Sequence, residues 1–205
     1  MIKNALIRSR AYRLPSPDID TDQIFPSRFQ NRVDGRNDLS RFFFHDQRFD
    51  DAGRPIAGAP MNDAAFRGAQ IIIAGANYAC GSARAGAIFS HIDFGIRVLV
   101  SESFGPVFPT VCFKFGLIPI ELPKPDVARL MADDAAAILE VDLEAQEIRL
   151  EAGKAIAFRL DDYVRFIALS GQGEISVTRS HAAEIEAFEV KRRQALPWLF
   201  DGRTK

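Results

Sequence analysis

Residues 69–100 read AQIIIAGANYACGSARAGAIFSHIDFGIRVLV, and the order of residue types in that stretch decides the fold. Ala69 to Tyr78 opens as a β-branched apolar run and breaks at Gly75 and Asn77, the pattern of a strand buried on both faces. From Ser82 to His91 the spacing predicts a helix, with Ala83, Ala87, Ile88 and Ile92 on one face. "FGIRVLVSES" then supplies a turn and a second apolar strand. Further out, "PVFPTVCFKFG" is a short helix closed by Gly116, and "LIPIEL" is a third strand. Strand, helix, strand, helix, strand in that order implies an α/β fold with a mixed, largely parallel central sheet and crossover helices.

The flanking segments differ in character. Pro15 to Pro60 is rich in Asp, Arg, Pro and Phe without clear periodicity, which predicts long loops holding short elements. "ILEVDLEAQEIRL" alternates apolar and polar residues, as a half-exposed antiparallel strand pair does. "DDYVRFIALSGQG" has Asp where a helix starts and Gly where one stops. A last helix is expected over roughly Ser180 to Leu196, with Ile185, Phe188 and Arg192 on neighbouring turns. The chain is therefore expected to form a single domain over 1–205, with a C-terminal helical extension over about 178–205.

Lys and Arg number 26 against 27 Asp and Glu, for a net charge of −1, so charge gives no reason to expect nucleic acid or an anionic membrane as partner. No apolar run approaches a membrane span, and the start lacks the apolar core of a secretory leader. A cytoplasmic location fits. The two cysteines, Cys80 and Cys112, have no CxxC partner, and no Cys/His cluster offers a metal-ligand set, so no metal is expected on this chain.

"GANYACGSARAG" places small residues at the end of a strand and Ser82 at the expected first helical turn. Backbone N–H groups there lack helical partners, and Arg84 can project over the same mouth, a combination suited to a carboxylate or phosphate. Ser82 as an ordinary N-cap and Arg84 as a surface ion-pair partner would leave the same trace. The spacing matches neither the GxGxxG nor the Gly-Lys-Ser/Thr nucleotide motif, nor the GxSxG elbow. Cys80 reads as a packed thiol beside the site; a thiol enzyme using it would need a base that no sequence feature indicates.

"SPDIDTDQIFP" presents Asp18, Asp20 and Asp22 alternately, but Gln23 and Phe29 stand where a calcium loop needs Gly and Glu. Turns and caps account for such acids, with one carboxylate free to orient a base or substrate. His45, His91 and His181 lie at no ligand spacing and read as structural. "RFFFHDQRF" reads as core and interface, and Lys191, Arg192 and Arg193 as a solvated face.

Taken together, "DIDTDQIFPSRF", "FRGAQIIIAGANYACGSARAGA", "DFGIRVLVSESFGPVFPTVCFKFGLIPIEL" and the terminal "PWL" resemble the small subunits of 3-isopropylmalate dehydratase, in the aconitase superfamily. The resemblance implies the swivelling β/β/α domain, a large partner subunit that holds a [4Fe-4S] cluster, and an active site between the subunits. It also implies a reaction that removes water from a hydroxydicarboxylate and returns it at the neighbouring carbon. By position, Ser82 matches the family's base, Arg84 the arginine that grips a substrate carboxylate, and Asp22 an active-site aspartate with Thr21 beside it. Gly81 allows close backbone approach.

The family's usual Gly-Ser-Ser-Arg-Glu-His-Ala is replaced in this chain by Gly-Ser-Ala-Arg-Ala-Gly-Ala, from Gly81 to Ala87. Ala83 lacks a hydroxyl, and Ala85 and Gly86 replace an ionisable pair. This departure implies a divergent paralogue, acting on 2-isopropylmalate in leucine biosynthesis or on a related alkylmalate or other hydroxydicarboxylate, or else serving a catalytically silent binding or regulatory role. Gly86 inside a helix also implies a looser first turn, or close approach by something else.

Overall fold

The structure, a computed structural model, describes residues 5–33, 38–82, 84–133, 137–150, 153–171 and 173–200. In chain order the strands and α-helices of the first part are β1 (Leu6–Ser9), β2 (Ala11–Leu14), α1 (Thr21–Ile24), α2 (His45–Arg48), β3 (Ile71–Ala74) and α3 (Ala85–Phe94). They are followed by β4 (Val98–Ser101), α4 (Phe108–Phe115), β5 (Ile118–Glu121) and α5 (Lys124–Ala132). Then come β6 (Leu139–Asp142), β7 (Glu147–Arg149), β8 (Ala155–Ala157) and α6 (Asp162–Ser170), with α7 (Glu174–Ser180) and α8 (Ala182–Ala195) last.

The expected parallel core is present as a four-stranded sheet in the order β2-β3-β4-β5, every pair parallel. The alternating segment forms a separate antiparallel sheet in the order β1-β6-β7-β8. The central sheet is buried on both faces because its side chains alternate between two cores. Ile71, Ile73, Val98, Val100, Ile118 and Ile120 join Val141, Ile148 and Ile156 of the antiparallel sheet, with Val127 and Leu130 of α5. Ile72 and Leu99 point the other way, into a core with Tyr12, Ala87, Ile88, Cys112 and the Phe42–Phe44 run. The antiparallel sheet and α5 thus pack on one face of the parallel sheet, and α3 and α4 on the other.

Helix ends follow the local chemistry. Gly95, Gly116 and Gly171 each adopt a left-handed conformation just past α3, α4 and α6. A side chain is disfavoured there, so the helix stops. Asp161 caps α6 by accepting from Tyr163 and Val164 N–H.

Contacts divide the chain into two compact units, Met1–Gly171 and Gln172–Lys205, so the second begins some residues before the expected extension. In the second unit α7, α8 and a 3-10 turn at Pro197–Leu199 contain no buried residues. Within it Arg192 lies over Phe188 and Arg193 over Phe200, while Lys191, Arg192 and Arg193 are exposed. None of its described helices, nor any elsewhere among the described residues, is long and apolar enough to cross a membrane.

Candidate active site

At the carboxyl edge of the central sheet three loops are laced together by backbone hydrogen bonds. The loop after β2 meets the loop after β3: Asp18 N–H donates to Ala76 O (2.9 Å), Ala79 N–H to Ile19 O (2.7 Å) and Thr21 N–H to Cys80 O (3.0 Å). The loop after β4 joins them, with Tyr78 N–H donating to Ser103 O and Gly105 N–H to Tyr78 O. Ligands of parallel sheets gather at this edge because the strands all deliver their loops to it.

The lacing forces unusual backbone. Asn77 (φ 58°), Ala79 (φ 56°) and Gly81 (φ 84°) alternate in the left-handed region. For Ala79 that conformation costs on the order of 1 kcal/mol, and strain of this kind gathers where a loop must present particular groups. Gly105 fits only because it lacks a side chain: a Cβ there would lie 2.4 Å from Ala79 O. Ser101 Oγ donates to Gly75 O, and Ser103 Oγ accepts from Asn77 N–H, so "SES" at the end of β4 anchors the loop. Sequence reading gave these serines no such role, although hydroxyls at a strand's carboxyl end are a usable signal.

Two of the expected site residues meet directly. Arg84 Nη1 donates to Asp22 Oδ1 across 62 residues of chain, with the arginine side chain 22% exposed and the aspartate 49%. That bond is the main cause holding the Asp22 carboxyl below its ordinary range, assisted by Ser27 N–H, which donates to the same oxygen. Asp20 instead caps α1 through Gln23 N–H, and Asp18 accepts from Asn77 Nδ2. Of the three alternating acids, then, one faces the site and two serve the turn.

Ser82 does not cap the helix as its spacing suggested. Helix α3 begins at Ala85 with Arg84 in an extended conformation as its N-cap, and no side chain caps it. The reason lies before the helix: Gly81 turns left-handed, and Thr21 Oγ1 donates to Ser82 O at 2.8 Å, holding Ser82 in the loop. Its hydroxyl is left exposed and makes no hydrogen bond to a described residue. Thr21 is only 2% exposed, and its hydroxyl meets this loop at the Ser82 carbonyl. Ala83 lies outside the described residues.

Behind this surface Tyr78 and His91 are fully buried, with the tyrosine hydroxyl donating to Nε2 at 2.7 Å and Nδ1 donating to Ala87 O at 2.6 Å. The pair ties the loop to α3, and burial lowers the histidine pKa to about 4, so the ring is neutral. Cys80 is partly buried, and burial together with Asp20 and Asp18 raises its pKa. Those neighbours disfavour the thiolate that a thiol enzyme needs. Cys112 is buried in the core.

Gly86 takes the second of its two expected roles, close approach. A Cβ on it would stand 2.6 Å from Cδ1 and Cε1 of Phe25, a ring buried against Phe29 and Phe42. The first turn of α3 is therefore tightly packed, and Phe25 occupies the space of a side chain at position 86.

The Aconitase C-terminal domain family model matches residues 8–125, and the model for the C-terminal domain of the 3-isopropylmalate dehydratase small subunit matches residues 174–202. A 3-isopropylmalate dehydratase small subunit from Parvibaculum lavamentivorans is 40% identical over 190 residues, covering 91% of this chain and 94% of that protein. The chain belongs to the 3-isopropylmalate dehydratase small-subunit family. Another member, small subunit 2 from Bordetella parapertussis, is 39% identical over 95% of this chain and 98% of its own length. The crystal structure of 3-isopropylmalate dehydratase from Methanocaldococcus jannaschii shares the fold, with a TM-score of 0.63 at 24% identity over 90% of this chain and 99% of that one. The Aconitase C-terminal domain match, over residues 8–125, spans the parallel sheet and the laced loops that carry Ser82, Arg84 and Asp22.

Proposed function

We propose that this chain is the small subunit of a cytoplasmic hydro-lyase that isomerises 2-isopropylmalate to 3-isopropylmalate in leucine biosynthesis, or acts likewise on a related hydroxydicarboxylate. Relatives of that name spanning nearly the whole chain support the reading. The observation that carries it to the site is the meeting of Arg84 and Asp22 at the carboxyl edge of the sheet, two residues along from Ser82, whose hydroxyl makes no hydrogen bond to a described residue.

In this reading Ser82, held as the alkoxide near the uncapped N-terminus of α3 where negative charge is favoured, takes the carbon-bound proton and becomes the neutral hydroxyl. Arg84 binds a substrate carboxylate with the part of its fork that Asp22 leaves open, and Asp22 fixes the guanidinium plane. Gly81 makes the turn that presents Ser82, and Thr21 holds that turn through the Ser82 carbonyl. The family's [4Fe-4S] cluster does not fit this chain: Cys80 and Cys112 are separate, and Cys112 is in the core. The large partner subunit is its expected holder, while proton transfer and carboxylate binding fall to this chain's own groups.

A second reading, a catalytically silent subunit, is favoured by one observation: Arg84 already carries a carboxylate of its own chain, where Ala85 and Gly86 supply no ionisable neighbour. Assembly with a cognate large subunit, followed by hydration assays on isopropylmaleate and related alkenes, separates the two. Turnover that falls at least about a hundredfold in Ser82→Ala, with Arg84→Lys mainly raising KM, supports the enzyme. Assembly without turnover on any of these alkenes refutes it in favour of the silent subunit.

A further inference from the structure

Away from the laced loops, a cavity of about 380 Å³ opens beside Arg48, Arg67, Asp63, Phe49, Phe94 and Met61. It lies at the other end of α3. That helix starts at Ala85, just after Arg84, and reaches the cavity at Phe94, a run of 10 residues or about 15 Å. Arg67 and Gly68 enter the cavity just before β3 begins, at the amino edge of the parallel sheet.

Arg48 is the unusual group there. It is partly buried, and its guanidinium lies 5.0 Å from the centre of the Phe49 ring and 4.8 Å from that of Phe94. Nε donates to Asn62 Oδ1, and Nη1 donates to the carbonyls of Ser40 and Phe43. All three acceptors are neutral. Nη2 makes no hydrogen bond to a described residue, and no described carboxylate pairs with this cation. Burial depresses the Arg48 pKa, as expected for a cation without a counter-charge. Arg67 and Asp63, both exposed, also line the cavity, and Asp63 accepts from Ala65 N–H. Two cations against one acid leave a net charge of +1, set among aromatic and thioether surface.

We propose that this cavity is a second ligand site, distinct from the candidate active site, and that it takes a small monocarboxylate bearing an apolar group. The carboxylate meets Arg48 Nη2 and Arg67, and the apolar group lies against Phe49, Phe94 and Met61. A dicarboxylate is disfavoured by Asp63, which separates this site's preference from that of the hydroxydicarboxylate site.

Phenylacetate and its neutral amide, phenylacetamide, test the assignment by NMR titration of the full chain, following the Arg48 Nε–H signal and the backbone signals of Asn62, Gly68 and, at the other site, Ser82 and Arg84. Phenylacetate should shift the first group at roughly millimolar concentration and leave Ser82 and Arg84 unmoved. Phenylacetamide should bind about tenfold more weakly or worse. Arg67→Gln should weaken phenylacetate several-fold, and Arg48→Lys, which keeps the charge but loses the fork, by about tenfold, with thermal melts verifying that both variants fold. No shift by roughly fifty millimolar, equal binding of acid and amide, shifts centred on Ser82, or indifference to both substitutions would each overturn the proposal. In the complex with the large subunit the same shifts should persist. Their loss there would make the cavity a protein contact and overturn the small-ligand assignment.

Discussion

Substituting Gly86 by alanine tests how the first turn of α3 is built. At an unobstructed helix interior this change stabilises by about 1 kcal/mol, because glycine loses more backbone freedom on folding. Gly86 lies inside α3, so it is space, not dihedral angle, that excludes a side chain. The added Cβ would stand 2.6 Å from two carbons of the Phe25 ring and 3.2 Å from a third. That ring is fully buried and packed edge-on to Phe42, so it cannot swing into solvent. Overpacking of this kind costs about 1–3 kcal/mol, so Gly86→Ala should destabilise by about 1 kcal/mol net.

The pair can be isolated by removing the ring. Phe25→Ala costs about 3–5 kcal/mol through the cavity it leaves, but in that background Gly86→Ala should stabilise by about 1 kcal/mol. The sign reversal corresponds to a coupling of about 2 kcal/mol, read from urea unfolding of the full chain in a double-mutant cycle. Should Gly86→Ala stabilise the wild-type chain, or act equally in both backgrounds, the close approach of Phe25 would not govern this turn. The same geometry bears on restoring the family's Glu-His pair: Ala85→Glu with Gly86→His should disrupt α3 while Phe25 remains. Any gain in turnover should require a smaller residue at position 25 as well.

Two further expectations concern the loops and what lies beneath them. Thr21→Val removes the hydroxyl that holds the Ser82 carbonyl, so stability should fall by about 1 kcal/mol, while turnover of the assembled enzyme falls by more than tenfold and recovers in Thr21→Ser; unchanged turnover in the valine variant would remove Thr21 from the site. His91 titrates at about 4 when folded against an ordinary 6.5, so the unfolded chain takes up its proton first on acidification. Its contribution is complete above about pH 6.5 and should fade by about 3 kcal/mol as the pH drops through 4. Unfolding midpoints at neutral and acid pH should therefore diverge less in His91→Gln than in wild type, and equal divergence would count against the assignment.

What the sequence made legible follows from the range of the interactions concerned. Gly116 and Gly171 end their helices through local backbone geometry, and each was readable just past an apolar-periodic run, whereas Gly95 was readable only as part of a turn after a helix expected to reach His91. The strand at Ile71–Ala74 was readable as buried on both faces, though the run to Tyr78 suggested a longer one. The extra residues lie instead in a loop whose left-handed positions, Asn77 and Ala79, carry no glycine to mark them. Strands β1 and β2 went unread because each is four residues long and interrupted by arginines, and their pairing partners lie far along the chain.

The site divides along the same line. Ser82, Arg84 and Asp22 could be named from residue type and family resemblance, but their arrangement depends on contacts between loops 60 or more residues apart, such as Thr21 with Ser82 and Asp22 with Arg84. Those contacts keep Ser82 out of the helix cap that its local sequence favours, and its hydroxyl makes no hydrogen bond to a described residue. Phe25 is the sharpest case: nothing around it in the chain distinguishes it from any other core aromatic, and only the missing side chain at Gly86 hints at a ring pressed against that turn. Substitutions at 85 and 86 must therefore be interpreted with residue 25, because the volume that an imidazole would need is already filled by a phenyl ring.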